Sequence, residues 1–299
     1  MENTTQLSGP GELYSRSWKL YKAHFGMFAA IIAIPLALTY GGTLFDLTHV
    51  PILGFVGSLC TLVGAILMIA VYPSLVNAIH RLSSEPATVL TVKGQYKIGF
   101  SFFWSFILVA IIVCLSFLGS FVLFLIPGIV VAGYAGVYMF AFVVDGKKGF
   151  SALTESYTLV KGRWWGVIGR VLAMALPIWL IVLIFGSVFG LNSVGGHAAP
   201  VSITSVIFNL IIGIVVTPFA LAYTYNLYSS LKATRLPSVD TKAFKGWLIA
   251  FLCVGVVFMI AMPIIVFSSL ASHHSPIYMM PRAQQTGTMI PYAGTSTVQ

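Results

Sequence analysis

The sequence predicts an all-α fold, a polytopic transmembrane bundle of about seven helices with basic amphipathic interfacial helices and a parallel internal repeat. Three observations predict it. Apolar residues make up 58% of the chain and charged residues 8%, against roughly 25% charged in a soluble domain. The apolar residues gather into long runs, and a helix needs about 20 of them to cross a hydrocarbon core about 30 Å thick. The Lys and Arg residues fall between the runs, on alternate sides.

Taken in order, the runs cover residues 25–45, 51–79, 100–125, 128–144, 165–190, 201–228 and 247–270. The third and fourth are separated only by Ile126-Pro127, which predicts a tight hairpin. The fourth run is short, so it reads either as a span or as a re-entrant or interfacial segment. The predicted organisation is a cytoplasmic amphipathic segment over 1–24, a six-helix membrane domain over 25–235, an additional helix over 236–271 and a disordered, non-cytoplasmic tail over 272–299. The first two dozen residues carry Glu2 and Glu12, unlike the basic start of a cleavable signal. The first run is therefore expected to be a retained signal-anchor.

Fifteen of the sixteen basic residues lie before the first run or in the connections 2–3, 4–5 and 6–7, counting Arg170 just inside the fifth run. The opposite connections have none, and the tail adds only Arg282. The positive-inside rule then places the N-terminus in the cytoplasm and the C-terminus outside. The net charge of +9 is thus membrane-flanking, and no nucleic-acid partner is expected.

Two basic segments match. Ser17-Trp18-Lys19-Leu20-Tyr21-Lys22-Ala23-His24-Phe25 aligns with Ser156-Tyr157-Thr158-Leu159-Val160-Lys161-Gly162-Arg163-Trp164. With the residues just before them, both carry apolar residues at i, i+4, i+7 and i+11, namely Tyr14, Trp18, Tyr21 and Phe25, and Leu153, Tyr157, Val160 and Trp164, which makes one helical face apolar with cations among the remaining positions. Such a helix lies in the interface, rings at headgroup level and cations reaching phosphates. Trp18, Lys19, Lys22, Lys161, Arg163, Trp164 and Trp165 are therefore candidate lipid-headgroup residues. Ser151 is the expected N-cap of the second copy, with Glu155 at the positive end of its dipole. The match extends to Tyr72-Pro73 in the second run and Thr217-Pro218 in the sixth.

The stretch Ile126-Pro127-Gly128, Tyr134, Asp145-Gly146, Ala152-Leu153, Ser156 and Leu159-Val160-Lys161-Gly162-Arg163-Trp164-Trp165 resembles the membrane domain fused to some bacterial glycerophosphoryl diester phosphodiesterases. It is also similar to related stand-alone inner-membrane proteins. The Leu221–Leu231 stretch, with Tyr223, Tyr225 and Tyr228, resembles that family's closing helix. The match covers about residues 12–235 and implies a bacterial inner-membrane location and an architecture. The phosphodiesterase reaction of fused relatives belongs to a separate soluble barrel with acidic metal ligands and paired histidines. This chain has seven acidic residues, all scattered, so no reaction is carried over and no enzyme is expected.

The remaining candidates are weaker. Asp145 reads either as an ion or headgroup contact or as an Asp-Gly turn paired to Arg170 or Lys161. Arg170 either snorkels to phosphates or pairs with Asp145. Pro35, Pro73, Pro177, Pro218 and Pro263 interrupt five runs, and the matched pair Pro73 and Pro218 suggests kinks around a cavity. That is the basis of an alternative reading as a transporter or lipid translocator. The middle of every span lacks Asp, Glu and Lys, which argues against proton coupling. Asn77, Asn209 and Asn226 are expected to bond between helices. Cys60, Cys114 and Cys253 read as packing residues, and Gly186-Ser187-Val188-Phe189-Gly190 fits a helix-dimer face. A copper role for His273-His274, Met279-Met280 and Met289 is the less favoured reading. There is no glycine-rich phosphate loop, zinc motif or nucleophile elbow, so no cofactor or metal is expected. Expected partners are anionic lipids, with a homo-oligomer or an envelope protein as further candidates.

Overall fold

The computed structural model describes residues 7–48, 50–188, 202–235 and 240–273. Every regular element among them is helical. In chain order they are α1 (Pro10–Leu44), a 3-10 turn (Phe45–Thr48), α2 (Pro51–Ser84), α3 (Val92–Leu123), α4 (Leu125–Ala135), α5 (Tyr138–Val143), α6 (Phe150–Val160), α7 (Trp164–Val188), α8 (Ile203–Ala233) and α9 (Lys242–His273). Six of these, α1, α2, α3, α7, α8 and α9, are long and apolar enough to cross a membrane. The chain is a multi-pass helical membrane protein. Packing divides the chain into two compact units between Phe258 and Met259, within α9.

The predicted fourth span is not one helix. It is α4 and α5, broken at Gly136 and Val137, where Val137 takes φ −119°, ψ 10°. Eleven residues of α4 rise only about 16 Å, half of a hydrocarbon core. The hairpin from α3 turns at Phe124, whose backbone is extended (φ −160°, ψ 148°), and not at Pro127. Pro127 sits in the first turn of α4, where its missing N–H leaves no helical bond unmade.

The first basic segment is also not a separate helix. It is the N-terminal half of α1, continuous with the span except for a local kink at His24 (φ −128°, ψ 18°). The five prolines lie inside continuous helices, so α1 departs from helical torsions at His24 and not at Pro35. The second basic segment does form its own helix, α6. Gly162 (φ 80°) turns the chain from α6 into α7 in the left-handed region that favours glycine. Ser151 is not its cap: that position is Gly149, and the Ser151 hydroxyl donates to the Lys148 carbonyl (2.6 Å).

α1 packs along both α2 and α8, whereas α7 touches α8 only over a short stretch. The helix pairs of the proposed repeat therefore differ in packing. Small residues set the closest approaches. A Cβ on Gly64 of α2 would sit 2.7 Å from Thr39 N and 2.8 Å from Pro35 O of α1. Between α3 and α9 the backbones meet at Gly119 and Gly255, where a methyl on either would overlap the other helix. The seam expected at Gly186–Gly190 ends outside the described residues.

The buried core is densest where the basic connections lie and continues to mid-span. It includes Leu13 and Tyr21 of α1, Leu75, Val76 and Ile79 of α2, Phe140 and Phe142 of α5, Leu153, Leu159 and Val160 of α6, and Tyr223, Leu227 and Tyr228 of α8, and runs on through Ile31, Ile32 and Leu36 of α1 and Val109 and Val113 of α3. The far halves of the helices expose their side chains: Ile52, Phe55 and Leu62 on α2, and Trp179, Leu180 and Ile184 on α7. Those faces suit hydrocarbon. Cys114 and Cys253 are exposed and Cys60 partly so, so none of the three packs in the core.

Candidate functional site at the basic end

The densest part of the core is also where the basic connections converge. Ser8 N–H donates to Ser230 Oγ (3.1 Å), which brings the start of the chain to the end of α8. Asn226 Nδ2 donates to Ser17 Oγ (2.9 Å), joining α8 to α1. His80 Nδ1 lies 2.9 Å from Tyr225 Oη, joining α2 to α8. Asn77 Nδ2 donates to Gln95 Oε1 (3.0 Å), joining α2 to α3. Asn209 Nδ2 donates within its own helix, to Ser205 O (2.8 Å).

Three charged groups tie this end together. Asp145 ends the chain segment leaving α5, and Gly146 after it has φ 66°, a turn that favours glycine. The Asp145 carboxylate accepts from Tyr228 Oη and from Lys232 Nζ. The expected partners Arg170 and Lys161 are engaged elsewhere. Lys232 also lies 5.9 Å above the Tyr228 ring, and Asp145 is the more sheltered partner of the ion pair.

Arg163, in the turn after α6, points inward rather than to a headgroup. It donates to Thr234 O (2.9 Å), Leu159 O (3.0 Å) and Leu231 O (3.4 Å), fastening the α6–α7 turn to the end of α8. Its Nε is buried without a partner. Burial pushes the guanidinium below its ordinary value, while the charge remains. Arg235 pairs with Glu155 at 3.0 Å on the same seam, so Glu155 is an ion-pair partner.

Arg170, one and a half turns into α7, neither snorkels nor meets Asp145. It donates to Ser8 O (2.7 Å), Leu7 O (2.9 Å) and Gly166 O (2.8 Å). Tyr223 Oη donates to its carbonyl (3.0 Å), and Tyr14 Oη donates to Ala173 O (3.0 Å). Sequence reading missed these tyrosine bonds. The clustering of Tyr223, Tyr225 and Tyr228 was the available signal.

The other candidates differ in exposure. Trp18 is about half exposed, and Lys22 lies 5.9 Å over its ring. In the aligned segment Lys161 lies 5.3 Å over the Tyr157 ring. The matched residues thus make the same cation–aromatic pair. Ser17 and Ser156, also matched, are both fully buried; Ser156 Oγ donates to Tyr134 O (2.5 Å). Lys19 is exposed, and Trp165 is 80% exposed. Trp164 is partly buried and donates to Val130 O (3.3 Å).

Two apolar grooves flank α4. One, of about 330 Å³, lies between Val131 and Tyr134 of α4, Tyr157 of α6, and Phe244, Trp247 and Phe251 of α9. Tyr157 and Phe244 stack with centroids 4.0 Å apart. The other, of about 400 Å³, lies between Ile126, Ile129 and Tyr134 of α4 and Trp164 and Trp165 of α7. Val130 and Tyr134 line both. A smaller recess lies between Trp18, Ile178 and Phe219. Pro73 and Pro218 are buried and line none of these grooves. Among the described residues no three His, Cys, Asp or Glu side chains gather to hold a metal ion. His274, Met279, Met280 and Met289 lie outside the described residues.

No family model, curated protein or solved structure matches this chain.

Proposed function

We propose that this chain is a non-catalytic bacterial inner-membrane protein that engages anionic lipid through its basic end and organises the membrane around it. Its relation to the membrane domain of glycerophosphoryl diester phosphodiesterases is part of that proposal. The observation that carries it is the repeated cation–aromatic pair, Lys22 with exposed Trp18 and Lys161 with the half-buried Tyr157. Arginine and lysine near an anionic leaflet contribute about 1 kcal/mol each, and aromatic rings favour the headgroup level. Arg163 and Arg170 serve the fold, so the headgroup set narrows to Trp18, Lys19, Lys22, Lys161 and Trp165.

The N-terminus is assigned to the cytoplasm by the alternation of Lys and Arg. The bonds Asn77–Gln95 and Asp145–Tyr228 support a path in which α3 leaves the basic end and α4 with α5 returns to it. The C-terminus then lies outside. The absence of a paired acidic site in the sequence favours a non-enzyme.

The test is the triple variant Lys19→Gln, Lys22→Gln, Lys161→Gln in nanodiscs of graded anionic content. The wild type should draw anionic lipid around itself and the variant should lose that enrichment while keeping its topology. Equal enrichment in both would refute the reading. A reporter after residue 273 that proved cytosolic would refute the orientation.

A further inference from the structure

We propose that α4 is a saddle for one anionic diacyl phospholipid, an acyl chain in each flanking groove and the phosphate at Lys161. This deepens the lipid-engaging reading and rests on it. The two grooves meet along α4 and share Val130 and Tyr134. Two chains that start from one headgroup need such a fork.

An apolar groove alone selects nothing in a bilayer, because lipid tails are as apolar as the groove wall. Selection has to come from the polar end. Tyr134 sits where the grooves join, with its ring 4.8 Å from that of Tyr157, and Lys161 stands over Tyr157. Lys161 takes part in none of the three ion pairs among the described residues, which use Arg16, Lys232 and Arg235; Lys242 and Lys245, beside Phe244 at the first groove, are likewise outside those pairs. Arg163, two residues on, is spent on protein carbonyls. The phosphate is placed at the Lys161 ammonium because that cation stands over Tyr157, which lines the first groove and packs on Tyr134, with Trp164 and Trp165 walling the second groove. The grooves fall within the range of ligand clefts, roughly 300–1,000 Å³.

The break at Gly136 and Val137 is what makes the saddle possible. A continuous fourth span would carry α4 onward past Tyr134. Here the helix stops, and α6 is held under its end by Ser156 donating to Tyr134 O.

The experiment is native mass spectrometry of the full chain released from nanodiscs of phosphatidylglycerol and phosphatidylcholine with matched tails. The wild type should retain one phosphatidylglycerol in preference to phosphatidylcholine. Lys161→Gln should reduce that preference about fivefold, the weight of one cation near an anionic phosphate. Val130→Trp, which places a bulky ring where both grooves are lined by the same residue, should sharply reduce retention of either lipid. Lys19→Gln with Lys22→Gln should leave the retained lipid unchanged while reducing general anionic enrichment. A tail-diazirine phosphatidylglycerol on the unmutated chain supplies a readout independent of variant folding. It should label peptides containing residues 126–134 together with 164–165 or 243–251. Retention without headgroup preference, unchanged retention in Val130→Trp, or labelling spread evenly onto α2 would each overturn the saddle. If enrichment around the wild type persists without a retained lipid, the saddle fails and the broader reading stands. If enrichment is absent as well, both fail.

Discussion

The basic end and the far halves of the helices are built on different principles. Near the basic end, side chains from α1, α2, α5, α6, α7, α8 and α9 meet in one buried core, crossed by the Asp145, Arg163 and Arg170 bonds. Far from it, α2 and α7 expose large apolar residues, and α1 and α2 are held close by Gly42, Gly57 and Gly64. The difference follows from the solvent. At the aqueous boundary burying a ring removes it from water and is favourable. Within hydrocarbon that gain vanishes, so close contact depends on small residues and a few hydrogen bonds.

The comparison can be broken by making one substitution at both ends. Leu159→Ala, in the core, should cost about 3 kcal/mol. Leu180→Ala, on an exposed face of α7, should cost under about 0.5 kcal/mol. Reversible unfolding in mixed detergent reads both, and equal costs would dissolve the distinction. Next in size is Arg163→Ala, which removes four donated bonds and should cost about 2–3 kcal/mol. Arg163→Lys should recover less than half, because an ammonium cannot span the same carbonyls as a planar fork. Asp145→Asn should cost about 2 kcal/mol, since Tyr228 loses an ionised acceptor while half-exposed Lys232 can turn to water. The smallest effect belongs to Lys19→Gln with Lys22→Gln. Stability should change by less than about 0.5 kcal/mol, and only lipid enrichment should respond.

Much of the fold was legible because hydrocarbon imposes a crude rule. Six of the seven apolar runs coincide with single helices long enough to span. The fourth did not, because hydropathy counts apolar residues and carries no torsional information: residues 128–144 are equally greasy on either side of Gly136. At the site, helical periodicity assigned every cation of the basic segments to a polar, lipid-facing side. Lys19 and Lys22 are exposed and Lys161 partly so. The assignment fails at Arg163, since Gly162 ends the helix just before it and redirects the side chain inward. The partner of Asp145 was sought nearby in Lys161 and Arg170 and lies instead 87 positions away, at Lys232. Pairings over such distances depend on how α5 and α8 pack, which no local pattern encodes.

The grip of Arg170 and α8 on the start of the chain also sets a timetable. Ser17 waits for Asn226, and Leu7 and Ser8 wait for Arg170. At a ribosomal pace of about 5–20 residues per second, the first helix emerges tens of seconds before its last neighbour exists. During that interval α1 has α2 for company and an unclaimed leading half. A nascent chain stalled before α8 would therefore carry its earliest segment loose, and protease sensitivity near Leu7 should report when translation has passed Asn226.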